Sequence, residues 1–578
     1  MRRLTDFVPI LAWAPRYGRA EAGCDLFAAA IVTIMLVPQG LAYAMLAGLP
    51  PQTGLYASIL PLVAYAVFGT SRTLAVGPVA VISLMTAAAL EPVAAPGSAA
   101  YVAAAATLAL LSGVVLLAMA ALRLGFLAHF LSHPVVSGFI TASGILIAAG
   151  QVRHLLGIGA EGDTLPRILL GLWHGLGAAN PATMALGASA TLFLFWARRA
   201  AEGSLRRAGL GRRAAGIGAK AAPLFAIAGS MAAVLWFDLG AAGVRLVGEI
   251  PAGVPPLALP RFDAALWLDL LPAAVLVGLV GFVESVSVGQ TLAARRRQRI
   301  VANQELVGLG AANVAAAISG GYPVTGGFAR SVVNFDAGAA TPMAGAFAAL
   351  GILFATVFLA PVFGFLPRSV LAATIVVAVL SLVDIGALRR VYAYSRMDFA
   401  AMAVTIVLVL LAGVEVGIVA GVALSLLLFL WRTSVPHIAI VGMVPGTEHF
   451  RNVDRHRVIT SPDLLSLRVD ESLYFANARV LEDRVLAEVA ARPGVRNVVL
   501  MCSAVNMIDA SALESLEAIA DRLASAGIGF HLSEVKGPVM DGLRRSEFLA
   551  HFKGRIFLSQ HEAFAALAAG TGPDPART

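Results

Sequence analysis

An arginine occurs between two long apolar segments of the sequence, in the stretch Pro323-Val324-Thr325-Gly326-Gly327-Phe328-Ala329-Arg330-Ser331-Val332-Val333-Asn334. The first residues of this stretch include a proline and two glycines and do not favour a helix, whereas the residues from Phe328 onward can form one. An arginine at the centre of a bilayer costs at least about 2.5–3.5 kcal/mol, so it normally pairs or faces a polar cavity. We therefore interpret the stretch as a broken membrane span and as one half of an anion-binding site.

The composition of the whole chain is typical of a polytopic α-helical membrane protein. The 578 residues are 59% hydrophobic and 13% charged, with a mean hydropathy of +0.83, whereas soluble domains carry about 25% charged residues. Hydrophobic blocks of roughly 15–25 residues recur from residue 26 to about residue 432, and each is long enough to cross a bilayer. No cleavable signal-peptide pattern follows the basic start Met1-Arg2-Arg3, so we expect the first span, near Leu26, to be permanent.

The positive charge of the chain is concentrated between the hydrophobic blocks. The formal net charge is +8 and the isoelectric point is near 9.9, which taken alone could indicate a nucleic-acid-binding protein. The arginines, however, cluster between spans, at Arg2, Arg3, Arg16 and Arg19, at Arg198, Arg199, Arg206, Arg207, Arg212 and Arg213, at Arg295, Arg296, Arg297 and Arg299, and at Arg389 and Arg390. This distribution is the positive-inside signal of membrane topology, and we predict that the protein has no nucleic-acid partner.

The hydrophobic blocks predict about fourteen spans. With this number and a cytoplasmic N-terminus, every arginine cluster falls on the cytoplasmic side, which supports both predictions. Twelve spans are expected near residues 26–46, 55–68, 101–122, 134–152, 181–197, 221–240, 268–292, 305–319, 342–362, 368–384, 397–412 and 414–432, and Pro38 interrupts the first of them. The third and tenth spans are broken: in the third, Leu74-Ala75-Val76 meets Gly77-Pro78 before a half-helix that starts near Val79. Seven spans in each half require opposite orientations of the halves, so the two matching interruptions predict an inverted repeat with a site near its midplane.

After Trp431 the sequence loses its long apolar runs, and it alternates between predicted strands and predicted helices. The predicted strands are Leu464–Val469, Val495–Cys502 and Gly529–Ser533, and the predicted helices are Val480–Ala491, Ser511–Leu523 and Val539–Arg545. This alternation indicates a small α/β domain, which lies in the cytoplasm by the parity of the spans. We divide the chain into a cytoplasmic segment (1–25), a membrane domain (26–436), the α/β domain (437–568) and a disordered tail (569–578).

The two half-helices carry the chemistry of the predicted site. The N-terminus of a helix has unpaired N–H groups and about half a positive charge, and two such ends aimed at one point from opposite leaflets can bind an anion. Each dipole contributes only about 0.3–1 kcal/mol, or up to about 2 kcal/mol when partly buried, whereas desolvating an anion costs several kcal/mol. Arg330, one turn into the second half-helix, would supply the missing charge; the alternative is that it snorkels to the cytoplasmic surface.

Three further polar residues lie inside predicted spans. Glu284 precedes Arg295 by about eleven residues, or roughly 16 Å of helix, which places a carboxylate near mid-bilayer, where such groups are functional candidates. Its alternative role is a structural hydrogen bond made by the neutral form. Gln39 and Tyr43 lie four residues apart and therefore on one helix face. They could present an amide and a hydroxyl to a substrate, or they could merely tie helices together.

Several chemistries are not indicated by the sequence. The ten histidines show no metal-ligand spacing, and the chain has neither a P-loop nor a credible catalytic triad. We therefore predict that the protein is not an enzyme and has no cofactor and no metal site. Cys24 and Cys502 lie far apart in different regions, and we predict neither a disulfide framework nor a zinc site.

Long ordered motifs follow one another along almost the whole chain. They are Val37-Pro38-Gln39-Gly40-Leu41-Ala42-Tyr43-Ala44, Gly48-Leu49-Pro50-Pro51, Gly54-Leu55-Tyr56, Phe68-Gly69-Thr70-Ser71-Arg72, Val76-Gly77-Pro78-Val79-Ala80 and, in the tenth span, Pro323-Val324-Thr325-Gly326-Gly327-Phe328-Ala329-Arg330-Ser331. After the spans, Tyr474-Phe475-Ala476-Asn477-Ala478 and Asp509-Ala510-Ser511-Ala512 resemble motifs of the STAS domain. Together these motifs resemble the SulP (sulfate permease) family of anion transporters, in which a cytoplasmic STAS domain follows the spans.

The resemblance implies a fourteen-span, seven-plus-seven inverted repeat in which a core domain (spans 1–4 and 8–11) moves against a gate domain (spans 5–7 and 12–14), usually in a homodimer. The anion site that it implies falls on Gln39, Tyr43, Ala80, Ala329 and Arg330, with Val79 and Phe328 beside them at the helix starts. It also implies proton coupling for Glu284. Ser511 matches a serine that is phosphorylated in soluble STAS proteins; a helix N-cap is its alternative role.

One position departs from the family pattern. Many relatives have a serine immediately before the tenth-span arginine, whereas this chain has Ala329. A hydroxyl ligand is therefore missing. Either the substrate differs from that of those relatives, or backbone N–H groups alone hold it on this side.

From the residues and the resemblance we expect a secondary active transporter of a small anion (sulfate-like, bicarbonate or C4-dicarboxylate), driven by protons through an elevator-type movement. The alternatives are sodium-coupled bicarbonate uptake, anion exchange and, more remotely, a membrane-anchored STAS signalling protein. The expected partners are the anion, the proton, the lipid bilayer, a second copy of the chain and an unidentified cytoplasmic partner of the STAS-like domain. We expect a multi-pass protein of the plasma (inner) membrane with both termini in the cytoplasm.

Overall fold

The structure is a computed structural model that describes residues 7–129, 132–159, 162–209, 211, 215–216, 218–219, 221–257 and 263–568. The chain folds into two compact units, Met1–Ser425 and Leu426–Thr578. The predictions made for residues 1–6, for Arg212 and Arg213 and for the tail 569–578 lie outside the described residues. The boundaries predicted for the four segments of the chain stay predictions.

The helices of the first part of unit 1 (Met1–Ser425) follow the apolar runs of the sequence. In chain order they are α1 (Ile10–Trp13), α2 (Arg19–Leu46), α3 (Gln52–Tyr56), α4 (Leu60–Phe68), α5 (Ala80–Leu90), α6 (Ala99–Ala121), α7 (His133–Leu156), α8 (Leu165–Gly175), α9 (Pro181–Trp196), α10 (Glu202–Arg207) and α11 (Ala222–Phe237). A two-residue strand, β1 (Val76–Gly77), separates α4 from α5, and a π-helical turn, Ala197–Ala201, follows α9.

The second part of the same unit has a similar arrangement, including a matching short strand. Its elements are α12 (Ala264–Arg295), α13 (Ala302–Ile318), β2 (Thr325–Gly326), α14 (Phe328–Ala337), α15 (Met343–Phe354), α16 (Ala360–Phe363), α17 (Arg368–Leu380), α18 (Ile385–Tyr394), α19 (Arg396–Ala412) and α20 (Val414–Ser434). A π-helical turn, Ala355–Leu359, joins α15 to α16. The boundary between the two units falls inside α20.

Among the described residues, seven helices are long and apolar enough to cross a membrane by length and composition. They do not include the two half-helices α5 and α14, which have 11 and 10 residues. Each half-helix is too short to cross a bilayer about 30 Å thick by itself, so neither is one of the seven. The number of fourteen spans and the inverted repeat therefore stay predictions.

Among the described residues of unit 1, the two longest helices that lie outside the predicted spans are α8 and α18. Each combines apolar and charged residues in 10 or 11 positions, so neither forms a hydrophobic block that could be recognised as a span. The start of α18 is fixed by Asp384, whose carboxylate accepts a 2.9 Å hydrogen bond from the N–H of Ala387. Short amphipathic helices of this kind are stabilised mainly by the surface on which they pack.

Among the described residues of unit 1, two carboxylates are completely buried, and both hold backbone segments in place. Glu305 accepts hydrogen bonds from the Tyr65 hydroxyl at 2.6 Å, from the N–H of Thr70 at 2.8 Å, from the Thr70 hydroxyl and from the N–H of Ser71 at 3.2 Å. Asp25 binds the N–H groups of residues 340 and 341 in the same manner. Hydrogen bonds of this kind compensate the cost of removing a carboxylate from water. They attach the loop after α4 to α13, and the chain after α14 to α2.

Unit 2 (Leu426–Thr578) contains a six-stranded sheet with the order β4-β3-β5-β6-β7-β8. The strands are β3 (Ile438–Met443), β4 (Phe450–Asn452), β5 (Leu464–Val469), β6 (Asn497–Met501), β7 (Gly529–Ser533) and β8 (Ile556–Phe557). Strand β3 pairs antiparallel with β4 and β5, whereas β5 through β8 are parallel neighbours. Parallel neighbours require crossover connections, which here contain the helices α21 (Ala478–Ala490), α22 (Ala510–Ser525), α23 (Gly537–Arg544) and α24 (Phe548–His551), and α25 (Gln560–Leu567) follows β8.

The α/β character predicted for this unit is confirmed, and β5 and β7 have the predicted bounds. The predicted strand Val495–Cys502 is shorter in the structure, Asn497–Met501. Strands β3, β4 and β8 and helices α24 and α25 were not predicted. Two of these strands have only two or three residues, and a strand of that length depends on pairing with neighbours that are distant in sequence.

Cys502 follows β6 and lies in the core of unit 2 at 2% exposure. Burial raises the pKa of its thiol to about 12, so the reactive thiolate form is suppressed at neutral pH. This cysteine is a packing residue.

Candidate functional site

The two half-helices begin on either side of a short strand pair. Strands β1 and β2 pair antiparallel, with Val76 opposite Gly326 and Gly77 opposite Thr325. Because the strands run in opposite directions, the helices that follow them, α5 and α14, leave the pair in opposite directions. Their N-termini therefore meet at the same strand pair.

The first N–H groups of both half-helices have no hydrogen-bond acceptor in the described part of the chain. The first helical bonds are made by Ser83 to the carbonyl of Val79 and by Ser331 to the carbonyl of Gly327. The three N–H groups before each of these bonds, in residues 80–82 and 328–330, are not donated. Neither N-cap residue, Val79 or Gly327, has a capping side chain. Such uncapped ends favour an anionic group.

Arg330 places a guanidinium against the strand pair. The side chain is 2% exposed, and its Nη1 donates a 2.5 Å hydrogen bond to the carbonyl of Pro78. Its Nε and Nη2 are buried without a hydrogen-bond partner among the described residues. A buried cation with two unused donors is costly by itself, so the geometry fits a ligand that accepts these two donors.

Two glycines make room for this guanidinium. A Cβ on Gly327 would lie 3.0 Å from the Nη2 of Arg330, and a Cβ on Gly77 would lie 3.4 Å from the same atom. Gly77 also has φ +154, in a region that favours glycine. The glycines of both motifs therefore have a steric role at the site.

A hydrogen-bond framework holds the second strand in place. The side-chain oxygen of Asn313 accepts the N–H of Val324 at 2.9 Å, and its amide donates to the carbonyl of Val324 at 2.9 Å. The hydroxyl of Ser285, from α12, accepts the N–H of Gly326 at 2.9 Å. The hydroxyl of Thr325 donates to the carbonyl of Gly281 at 2.6 Å. These bonds fix the position of β2, and hence of the N-terminus of α14, against α12 and α13.

Within the described chain, three side chains lie close enough to Arg330 to interact with it electrostatically: Tyr43, Glu284 and Tyr322. Helices α2 and α12, which carry Tyr43 and Glu284, each pack against both half-helices. Glu284 is half-buried, and within the described residues its carboxylate has no hydrogen bond and no ion pair within 4.0 Å. One cation and one carboxylate thus share the site without pairing directly.

The remaining residues predicted for the site differ in their exposure. Phe328 is 47% exposed and Ala329 is also exposed, whereas Val79 and Ala80 are buried. Gln39, one turn before Tyr43 on α2, is half-buried, and no hydrogen bond of its amide is formed within the described chain. The N-terminus of α14 is therefore the accessible side of the site.

Ser511 lies in unit 2 and is not part of this arrangement. It is exposed at the second position of α22, whereas Asp509 is the N-cap, since its carboxylate accepts the N–H of Ala512 at 2.9 Å. The alternative role considered for Ser511, a helix N-cap, is therefore wrong. Its phosphorylation stays a prediction.

The sequence reading missed several residues that support the site. Tyr322 is completely buried and its hydroxyl lies 3.1 Å from the hydroxyl of Ser83, which joins the two half-helix regions. Asn313, Ser285 and Thr325 were also missed. The sequence contains a partial indication of their role. A polar residue that is buried within a span, or next to a break in a span, usually forms hydrogen bonds.

Comparison with known proteins agrees with this architecture. Residues 23–405 match the sulfate permease family profile, and residues 456–563 match the STAS domain profile. The chain is 34% identical over 581 residues to "Sulfate transporter 4.1, chloroplastic" of Arabidopsis thaliana. The aligned region covers 97% of this chain and 83% of the relative. The resemblance stated from the motifs is thereby confirmed.

Solved structures share the fold at lower sequence identity. The inward-facing structure of the murine solute carrier 26 family member A9 anion transporter matches with a TM-score of 0.85 and 22% identity, covering 98% of this chain and 94% of that chain. The transmembrane domain of the cyanobacterial bicarbonate transporter BicA matches with a TM-score of 0.60 and 23% identity, covering 70% of this chain and 98% of that chain. The predicted fold class, a helical membrane core followed by a STAS domain, is confirmed.

Proposed function

The chain belongs to the sulfate permease family, and from this premise we propose that it is a secondary active transporter of small anions whose substrate binds between α5 and α14. The main observation in support of the proposal is the burial of Arg330. This residue is 2% exposed and has two donor nitrogens without a partner among the described residues. The undonated N–H groups at the two helix starts follow the same strand pair. An anion would accept hydrogen bonds from both sets of donors and would offset the desolvation of the guanidinium.

The proposed substrate is a small oxyanion, namely sulfate or a similar anion, bicarbonate or a C4-dicarboxylate. Sulfate is the first compound to test, because the Arabidopsis relative is named as a sulfate transporter. Gln39, Tyr43, Val79, Ala80, Phe328 and Ala329 are the proposed neighbours of the anion. Tyr43 can donate its hydroxyl, whereas the residues at the helix starts contribute backbone N–H groups.

For the driving force we propose proton symport through Glu284. An ionised Glu284 opposes an anion beside Arg330, and protonation of the carboxylate removes this opposition, so that proton and anion bind together. The coupling is reciprocal, because a bound anion must in turn favour the protonated form of Glu284. Sodium-coupled uptake and anion exchange are the competing mechanisms, and each predicts a different dependence of the flux on ion gradients.

For the transport cycle we propose an elevator-type movement, in which the part with the half-helices moves against the rest of the membrane unit. We also propose a homodimer in the plasma (inner) membrane with both termini in the cytoplasm, and a cytoplasmic protein partner for the STAS domain. These proposals rest on the family resemblance and on the positive-inside distribution of arginines.

The proposal is tested with the purified full chain in liposomes. We expect an inward proton gradient to drive uptake of labelled sulfate, bicarbonate or dicarboxylate against the anion gradient. Uptake that requires a sodium gradient would show sodium coupling in place of proton symport. Uptake that requires a second anion inside the vesicles would show anion exchange. If none of a panel of a dozen anions is transported or bound, the membrane unit is not a transporter of small anions.

Glu284→Gln is expected to separate transport from the proton gradient. The amide imitates the protonated carboxyl group, so anion binding should persist while the dependence of uptake on the gradient is lost. The measurement is the ratio of sulfate uptake with and without the gradient, which should fall to about one. The exposed Glu249→Gln serves as the matched control and should keep the wild-type ratio. Full gradient dependence in Glu284→Gln would show that another group carries the proton.

Ala329→Ser is expected to change selectivity in favour of tetrahedral oxyanions. Residue 329 is exposed at the second position of α14, where a hydroxyl can donate to an anion held by Arg330. A hydrogen bond to a charged group contributes about 1.5–3 kcal/mol, which corresponds to at least about a tenfold lower KM for sulfate. Ala329→Cys, in which a weakly donating thiol replaces the hydroxyl of serine at similar size, is the control. Equal KM values for the serine and cysteine variants would contradict the role of this position.

A further inference from the structure

A basic basin lies in unit 1 at the end of α7, among residues that the proposed transport site does not use. It is an open cavity of about 520 Å³ whose polar lining consists of Arg153, His154, His174 and Arg245. A second, water-sized cavity of about 10 Å³ shares residues 153, 154, 158 and 245 with it. This smaller cavity adds Arg368 and the buried residues Thr183 and Ser369 to the lining, and we call it the floor of the basin.

The floor contains two buried hydroxyl groups without partners. Thr183 is 2% exposed and Ser369 is 1% exposed, and the hydroxyl oxygen of each lacks a hydrogen-bond partner in the described structure. The two residues belong to different helices, α9 and α17. A buried hydroxyl is normally satisfied, since leaving it unsatisfied destabilises the protein. Two such groups that line one cavity point to a shared polar ligand.

The N-terminus of α17 faces the same floor. Its N-cap, Pro367, provides no capping side chain, and the N–H of Ser369 is not donated to any described residue. The N–H of the preceding residue, Arg368, is already donated to the carbonyl of Arg245 at 3.0 Å. One backbone donor of a 13-residue helix thus remains available beside the two hydroxyls, and the helix dipole favours a negative charge there.

Positive charge surrounds this group of donors. Arg245 and Arg368 have no ion-pair partner within the described part of the chain, and the guanidinium of Arg368 donates one hydrogen bond, from Nε to the carbonyl of Leu246 at 3.0 Å. No aspartate or glutamate is found among the described residues that line either cavity. A neutral ligand would leave this charge uncompensated, whereas an oxyanion accepts hydrogen bonds from arginine and from hydroxyl groups.

We propose that this basin is a second oxyanion-binding site, with Arg245 and Arg368 supplying charge and Thr183, Ser369 and the N-terminus of α17 supplying hydrogen bonds. The ligand is a tetrahedral oxyanion, either free sulfate or phosphate or the phosphate of an anionic phospholipid headgroup. The site does not depend on the proposed transport site, because it shares no residue with it. A further small cavity extends from Arg153 and Arg368 to residues 42, 45 and 46 of α2. The basin therefore adjoins the helix that carries Gln39 and Tyr43.

The test is equilibrium binding of labelled sulfate to the full chain in lipid-free detergent at constant ionic strength. The transport site is first removed by Arg330→Met, and we expect this variant to retain one class of sulfate site. Adding Thr183→Val and Ser369→Ala should weaken the remaining binding at least about tenfold, because each hydroxyl bonds a charged ligand. The same two substitutions should leave the unfolding temperature without sulfate unchanged or higher, since they delete unsatisfied groups.

Two results would overturn the proposal. One is the absence of sulfate binding in Arg330→Met, and the other is unchanged binding after Thr183→Val and Ser369→Ala. The source of the oxyanion is decided by repeating the measurement in nanodiscs. If phosphatidylglycerol, but not phosphatidylcholine, prevents sulfate binding by Arg330→Met, the headgroup is the occupant. If sulfate binds equally in both lipids, the occupant is the free anion.

Discussion

Arg330→Met should reduce sulfate uptake at least about 100-fold and should not lower the stability of the protein. Loss of a desolvated charge partner costs about 3–5 kcal/mol, and each 1.4 kcal/mol corresponds to about a tenfold change in binding. Stability behaves differently because Arg330 is 2% exposed and leaves two nitrogens without partners among the described residues. Its removal therefore relieves a desolvation cost that the protein bears in the absence of an anion.

The measurement combines uptake into liposomes with thermal unfolding of the same purified variant. Arg299→Met is the matched control, because Arg299 is exposed and forms no ion pair with a described residue. It should transport at the wild-type rate. Arg330→Lys retains the charge but not the planar fork of donors, so we expect an intermediate rate. Wild-type uptake by Arg330→Met would show that the anion binds elsewhere.

Glu305→Ala should destabilise the membrane unit by about 3 kcal/mol or more. The substitution removes the acceptor of four hydrogen bonds, two from backbone N–H groups of residues 70 and 71 and two from the hydroxyls of Tyr65 and Thr70. Each buried donor that loses its partner costs about 1–3 kcal/mol. Glu305 is 0% exposed, so water cannot replace the carboxylate without local unfolding.

The measurement is the unfolding temperature of the purified protein in detergent, together with the fraction that elutes as a single species. Glu202→Ala, at an exposed helix position, is the control and should behave as the wild type. Tyr65→Phe removes one of the four donors and should have a smaller effect than Glu305→Ala. An unchanged unfolding temperature in Glu305→Ala would mean that the loop after α4 is not fixed by this carboxylate.

Much of the membrane unit follows from local properties of the chain. The apolar runs predicted helices close to those in the structure, such as α9, α13, α19 and α20. The breaks at Gly77-Pro78 and at Gly326-Gly327 predicted the half-helices, because proline and glycine act on the backbone within a few residues. These effects act within a few residues, so they do not depend on how the helices pack against one another.

The carboxylates show the limit of such reasoning. Glu305 looks like an ordinary acidic residue in the first turn of a helix, and Asp25 looks like a residue before a span. Their roles depend on donors about 235 and 315 residues away in the sequence. No local sequence pattern predicts these hydrogen bonds, because they form only after the distant segments have packed together.

The sequence by itself determined that the chain is a membrane protein, that two spans are broken, and that Arg330 and Glu284 are charges in an apolar setting. It could do so because hydropathy, backbone restriction and charge belong to single residues and short segments. Only the tertiary structure decided that β1 pairs with β2, that Arg330 donates to Pro78 and keeps two free donors among the described residues, and that Glu284 is near it without pairing. These features are distances between groups that lie far apart in the sequence. The balance between desolvation and hydrogen bonding at the site is set by those distances.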